Sequence, residues 1–162
     1  MLTKDQIVQW LQTVVAVLEE NKTYLTDLDA AIGDADHGIN MSRGFKKVDS
    51  QLPGVADKDI GSILKTTGMA LISSVGGAGG PLYGTLFMRA GMAVDAKHEL
   101  TDEDLGTLLR AAVEGVVQRG KAQLGDKTMV DALLPASQAF QKAVKEDRKS
   151  TRLNSSHRYV SR

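Results

Sequence analysis

Apolar residues recur every three to four positions along most of this chain, and the strict alternation of a half-buried strand is absent. Thr3 with Gln6 three residues later makes a capping-box signature. Behind it Ile7, Leu11, Val14 and Leu18 share one helical face. Ile60, Ile63, Leu64, Leu71, Ile72 and Val75 repeat the pattern in a second helix. Thr101 is placed to cap a third, with Asp102, Glu103 and Asp104 in its first turn, where the helix dipole favours acids. Its stripe of Leu105, Leu108, Leu109, Ala112, Val113, Val116 and Val117 is the cleanest in the chain. Met129, Leu133, Ala136 and Phe140 predict a weaker helix, kinked at Pro135. Pro81 suits the start of a further helix reaching about His98. That helix is apolar on nearly all sides, which predicts a central position, and Met69, Met88 and Met92 read as core filler. The expectation is an all-α fold, a bundle of about six helices.

Composition narrows the class. A chain of 162 residues, 42% apolar and 25% charged, is long enough for one folded domain and too apolar for a disordered one. Zero cysteines exclude a disulfide scaffold, a thiolate metal site and a cysteine nucleophile. With 20 basic and 20 acidic side chains there is no global basic field to favour nucleic acid. The charge is unevenly placed, because Asp147 to Arg162 carries five basic side chains and one acid, leaving the body acidic. This last segment, RKSTRLNSSHRYVSR from residue 148, has no amphipathic period. It reads as a basic disordered tail (147–162), either foreign adapter-type sequence or a native extension, beyond a helical domain at 1–146. The N-terminus lacks the basic start and apolar core of a signal peptide. Thr66 to Met88 is uncharged over 23 residues, but a glycine run in its middle would expose backbone groups that lipid cannot satisfy. A soluble, cytoplasmic protein with no membrane span is expected.

Three polar loops carry the candidate chemistry. The first, Asp29 to Asn40, crowds Asp29, Asp34 and Asp36 beside Gly33 and Gly38. Two carboxylates about 4 Å apart repel by roughly 4 kcal/mol at an effective dielectric near 20, so such a cluster splays into solvent or gathers a cation. All-oxygen ligation points to Mg²⁺ or Ca²⁺. An EF-hand is excluded, because counting from Asp34 puts Phe45 where the bidentate Glu belongs. The alternative is an Asp-rich turn capping the next helix. The second loop, Gly76-Gly77-Ala78-Gly79-Gly80-Pro81, leads into a helix and can hold an anion on its N–H groups. It is neither a Walker A loop nor a dinucleotide fingerprint, and close helix packing explains it equally well. The third, Gly120 to Met129, is a turn with Thr128 as its cap. His98 and His157 carry no motif; His37 differs only in lying between Asp36 and Gly38.

Taken together, GDADHGINMSRGF (Gly33–Phe45), SSVGGAGGPLYGTLF (Ser73–Phe87) and RGKAQLGDKTMVDA (Arg119–Ala132) resemble the nucleotide-binding L-subunit family of bacterial dihydroxyacetone kinases. The likeness runs collinearly from about residue 4 to 145. It implies an antiparallel helical barrel that holds ADP or ATP with two Mg²⁺ ions at one end. By position it implies Asp29, Asp34 and Asp36 as magnesium ligands. It implies His37, Gly38, Ile39, Asn40, Ala78, Gly79, Gly120, Thr128 and Met129 as nucleotide contacts. No catalytic nucleophile is implied, since phosphoryl transfer depends on positioning and charge neutralisation. Two departures stand out. Gly79 occupies a position where the family usually has serine, and the family's closing Gly-Arg and Asp-Pro-Gly segments have no counterpart, the likeness stopping near Glu146.

The resemblance implies a phosphotransferase subunit active only with partners: a dihydroxyacetone-binding kinase subunit and a phosphoryl-donor subunit of the phosphotransferase system. A possible transcriptional-regulator partner gives the competing reading of a regulatory binding module. The L domain of an ATP-dependent glycerone kinase and a self-sufficient carboxylate-metal hydrolase are further alternatives.

Overall fold

The computed structural model describes residues 1–147 in full and the backbone onward to Tyr159. Seven α-helices account for most of the described residues, as the helical periodicity predicts. A short strand β1 (Leu2–Thr3) leads into α1 (Lys4–Glu20), followed by α2 (Lys22–Ala30) and α3 (His37–Gln51). After a 3-10 turn at Leu52–Gly54 come α4 (Ile60–Ser74) and α5 (Gly79–Ala93), then β2 (Glu99–Leu100), α6 (Asp102–Gly120) and α7 (Val130–Tyr159).

Local chemistry sets several of these boundaries. Thr3 accepts from the Gln6 N–H while the Gln6 side chain accepts from the Thr3 N–H, and Thr101 and Asp104 repeat the exchange at α6. Asp59 caps α4 by accepting from the Ser62 N–H, and the same carboxylate accepts from Ala96 N–H. Lys97 and the Thr101 hydrogen bonds hold the Asp104 carboxyl at about 2. The two strands form one antiparallel pair, Leu2 opposite Leu100 and Thr3 opposite Glu99. Ile60 N–H donates to the Lys97 carbonyl nearby at 2.7 Å. The starts of α1, α4 and α6 are therefore tied at one end of the molecule.

Helices α4 and α5 run antiparallel with their backbones in contact. A Cβ on Gly61 would lie 2.8 Å from the Gly91 carbonyl oxygen, one on Gly68 2.7 Å from that of Gly84, and one on Gly80 2.4 Å from that of Val75. Helix α5 is then flanked by α6 on its other side, where Gly115 receives Arg89 and Thr85. Its central position agrees with its apolar sequence. Between α1 and α3, the buried Ser42 hydroxyl donates to Glu19, and Lys46 approaches the same carboxylate at 2.9 Å. These two groups hold the Glu19 carboxyl at about 2, well below its ordinary value. The core gathers Leu11, Phe45, Leu52, Ile60, Ile63, Leu71 and Phe87, with Phe87 edge-on to Phe45 at 6.1 Å. Towards α1, α6 and α7 the helices enclose an apolar cavity of about 740 Å³, lined among others by Trp10, Tyr83, Leu109 and Phe140.

Four details differ from expectation. Helix α2 appears where no stripe predicts it, because its large apolar residues Tyr24 and Leu28 face solvent. Helix α5 ends at Ala93 rather than near His98, since Ala96 turns left-handed (φ 60°) and the chain enters β2. Met69 and Met92 are exposed rather than core filler, because glycines make the α4–α5 seam too close to need them. The backbone of α7 is helical through the segment read as a disordered tail; its side chains from residue 148 and everything beyond Tyr159 lie outside the described residues.

The α4–α5 seam makes a direct prediction. Gly68→Val should lower the melting midpoint by an amount corresponding to about 1–3 kcal/mol, the usual cost of overpacking, because the added methyls meet backbone. Gly54→Ala, where a Cβ meets nothing within 4 Å, should leave the thermal transition unchanged.

Candidate functional site

Up-and-down connectivity delivers all three polar loops to the end of the molecule opposite the strand pair. Asp29 sits in the last turn of α2, and its Oδ2 accepts from the N–H groups of Asp36 (3.0 Å) and His37 (3.3 Å). It thereby satisfies amides at the start of α3 that would otherwise be orphaned. The loop closes tightly over this carboxylate. Gly33 N–H donates to the Asp29 carbonyl at 2.6 Å, and a Cβ on Gly33 would lie 2.1 Å from Asp29 Oδ1. Ala35 adopts the left-handed conformation (φ 59°). The Asp36 side chain makes no capping hydrogen bond, and Asp34 is exposed.

One oxygen from each of Asp29, Asp34 and Asp36 lies within 4.8 Å of the others. Asp29 thus caps α3 through Oδ2 while its carboxylate stands beside those of Asp34 and Asp36. Such a set of oxygens suits a hard divalent cation.

The glycine loop stands beside the start of α3. Gly76 rests on the buried Asn40 amide, where a Cβ would come 3.2 Å from Nδ2. Gly79 faces Met41 and His37, with a Cβ position 3.8 Å from Met41 Sδ and 4.0 Å from His37 Cε1. Val75 Cγ1 is closer, at 3.3 Å, so a side chain at this position would press on Val75. Gly77 takes a positive φ of 61° to turn into α5. No side chain caps that helix, and Pro81 has no N–H, so the first amides of α5, next to the exposed Ala78, are available to an anion. Gly38 packs on the Lys22 carbonyl and Thr26 of α2, a place with no room for a side chain, while Ile39 is half exposed on the outer face.

Gly120 ends α6 against Leu82 of α5, where a Cβ would lie 3.1 Å away. Thr128 and the half-buried Met129 stand at the foot of α7. Thr128 accepts from Val130 N–H at 3.2 Å, which agrees with its reading as a cap. The organiser of this loop is a residue that the sequence reading passed over, Asp131. Its oxygens accept from Gly125 N–H (2.6 Å) and Thr128 N–H (2.9 Å), and these bonds hold its carboxyl below the usual range. The signal was available, since Thr128-x-x-Asp131 is itself a capping-box spacing. Arg43 was also passed over; its Nε donates to the Ser74 carbonyl (3.0 Å) and its Nη2 to Asn40 Oδ1 (2.6 Å).

Comparison with known proteins gives concordant results. Residues 31–158 match the DAK2 domain model. The chain is 51% identical over 146 residues to the PEP-dependent dihydroxyacetone kinase, ADP-binding subunit DhaL, of Escherichia coli (strain K12), covering 90% of this chain and 70% of that protein. It is 42% identical over 131 residues to the PTS-dependent dihydroxyacetone kinase, ADP-binding subunit DhaL, of Lactococcus lactis, covering 81% and 66% respectively. The chain therefore spans about two thirds of the length of these relatives. The fold superposes with a TM-score of 0.69 on the dihydroxyacetone kinase from C. freundii in complex with AMP-PNP and Mg²⁺, at 28% identity, covering 85% of this chain and 25% of that one.

The third loop should respond to acid. A carboxyl whose folded value is lowered contributes order that is fully present above its unfolded value and lost as pH falls through the folded one. The Gly125 and Thr128 amides should therefore shift in NMR spectra as pH drops below the ordinary aspartate range, and Asp131→Ala should abolish that transition.

Proposed function

The chain belongs to the DAK2 domain family, and on that premise we propose that it is the ADP/ATP-holding subunit of a dihydroxyacetone kinase, active with partner subunits. The observation that carries this reading is the convergence of three carboxylates beside an uncapped, glycine-rich helix start. The acids offer oxygens to Mg²⁺, the helix start offers N–H groups to phosphate, and the fit to a magnesium nucleotide follows from these two complementary donor sets.

Asp29, Asp34 and Asp36 hold two Mg²⁺ ions, and Ala78 and Gly79 receive phosphate oxygens through their N–H groups. His37, Gly38, Ile39 and Asn40 border the nucleotide from the start of α3, and Gly120, Thr128 and Met129 border it from the third loop. When bound, the Mg²⁺ nucleotide supplies the transferable phosphoryl group and neutralises its developing charge. The protein side chains orient that group; none serves as a nucleophile. Asp29 keeps one oxygen on the α3 amides, so its position is set before any ligand arrives.

The acceptor, dihydroxyacetone, is bound on a partner subunit, and a phosphoprotein of the phosphotransferase system restores ATP from ADP in place. The E. coli and L. lactis relatives are ADP-binding subunits of a PEP-dependent and a PTS-dependent dihydroxyacetone kinase, which supports a division of labour among subunits. A cytoplasmic location follows from it, and no helix among the described residues is long and apolar enough to cross a membrane. Pull-down against the acceptor subunit and against a transcriptional regulator separates this reading from that of a regulatory docking module.

Two measurements test the assignment. Asp34→Asn should weaken Mg-ADP binding in calorimetry by roughly tenfold or more, as expected for loss of a metal ligand, whereas Asp95→Asn at the opposite end should not. Equal affinities for the two variants would remove the metal assignment. The isolated chain should show no dihydroxyacetone phosphorylation with ATP alone, and robust turnover would mark a self-sufficient kinase.

A further inference from the structure

Arg43 lies in the second turn of α3, outside the residues assigned to cation or nucleotide. Two observations set it apart from an ordinary surface arginine. Its Nε donates to the carbonyl of Ser74, the last residue of α4. That carbonyl is one of those left without an intrahelical partner at a helix C-terminus, where a cation is also favoured by the helix dipole. Its Nη2 donates to Oδ1 of Asn40, a residue only 6% exposed. An acceptor for guanidinium must be the amide oxygen, so this bond fixes the orientation of the Asn40 amide and leaves Nδ2 as its donor. That amide is the wall on which Gly76 rests.

A continuous set of bonds results. The Asp29 carboxylate grips the amides at the start of α3, α3 carries Asn40 and Arg43, and Arg43 grips Ser74, two positions before the glycine loop. We propose that Arg43 is a positioning residue for phosphoryl transfer, clamping the acidic loop to the glycine loop and so setting the separation between cation and phosphate. The inference rests on the reading that these two loops hold a magnesium nucleotide. Its force comes from the sensitivity of such chemistry to placement, where a displacement of about 1 Å can cost on the order of a hundredfold in rate. Lysine cannot replace the clamp, because its single ammonium does not present two donors in a fixed fork.

Arg43→Gln and Arg43→Lys, made in the full chain, test this. The expected result for Arg43→Gln has three parts: Mg-ADP affinity about tenfold weaker or more, faster amide exchange at Gly76–Gly79 in ligand-free protein, and a nearly unchanged melting midpoint. With the partner subunits present, kcat should fall while KM for dihydroxyacetone, held on the partner, stays the same. Arg43→Lys should recover little of either loss, and it provides the same readouts if Arg43→Gln does not fold. Wild-type exchange at Gly76–Gly79 in the variants, or wild-type Mg-ADP affinity, would overturn the proposal. Failure of the wild-type chain itself to bind Mg-ADP would instead remove the nucleotide reading on which the clamp's function depends, and with it the proposal.

Discussion

Backbone contact between α4 and α5 is the constraint from which the rest of the arrangement follows. Gly61, Gly68, Gly84 and Gly91 bring the two helices so close that no Cβ fits between them. The two helices are joined by a short connection, and that connection is the glycine loop. The loop is thus flanked on both sides by helices in backbone contact. Close helix packing and anion binding were separate explanations for the glycines in the sequence. Different glycines stand at the seam and at the loop: Gly68 and Gly84 at the seam, Gly77 and Gly79 at the turn and the helix start.

The acidic loop meets a different demand. Three carboxylates within reach of one another repel, and a chain that simply relaxed would spread them. Asp29 resists this because its carboxylate accepts two amide hydrogen bonds and is enclosed by the Gly33 turn. The same bonds that hold α3 in place thus hold the acids together. The Asp29 carboxylate that caps α3 is also the one that stands within reach of Asp34 and Asp36.

Legibility in the sequence followed the range of each interaction. The capping boxes at Thr3 and Thr101 involve residues three apart, and both were readable. So were the stripes of α1, α4 and α6, because burial on one face leaves a period of 3.6. Helix α2 was not, since Tyr24 and Leu28 face solvent and Asn21 makes no side-chain cap. At the site, the three acids were legible because they crowd within eight positions, and the glycine run was legible by composition. The Arg43–Ser74 bond spans thirty-one positions and leaves no local trace. Asp131 had a local trace, Thr128 three residues before it.

The three loops are held to the fold in different ways. Glycine contacts exclude space along the α4–α5 seam, whereas apolar side chains of α1, α3, α4, α5, α6 and α7 line a cavity of about 740 Å³. The acidic and glycine loops are tied to one another through α3 packing on α4 at Gly44 and through the α4–α5 seam. The third loop joins α6 to α7 and depends on hydrogen bonds to Asp131 for its shape. The two loops proposed to hold cation and phosphate are therefore related by packing between helices, and the loop proposed to border the nucleotide is shaped by bonds within itself. Electrostatic stabilisation works through groups already in place, so packing of this kind suits the first two.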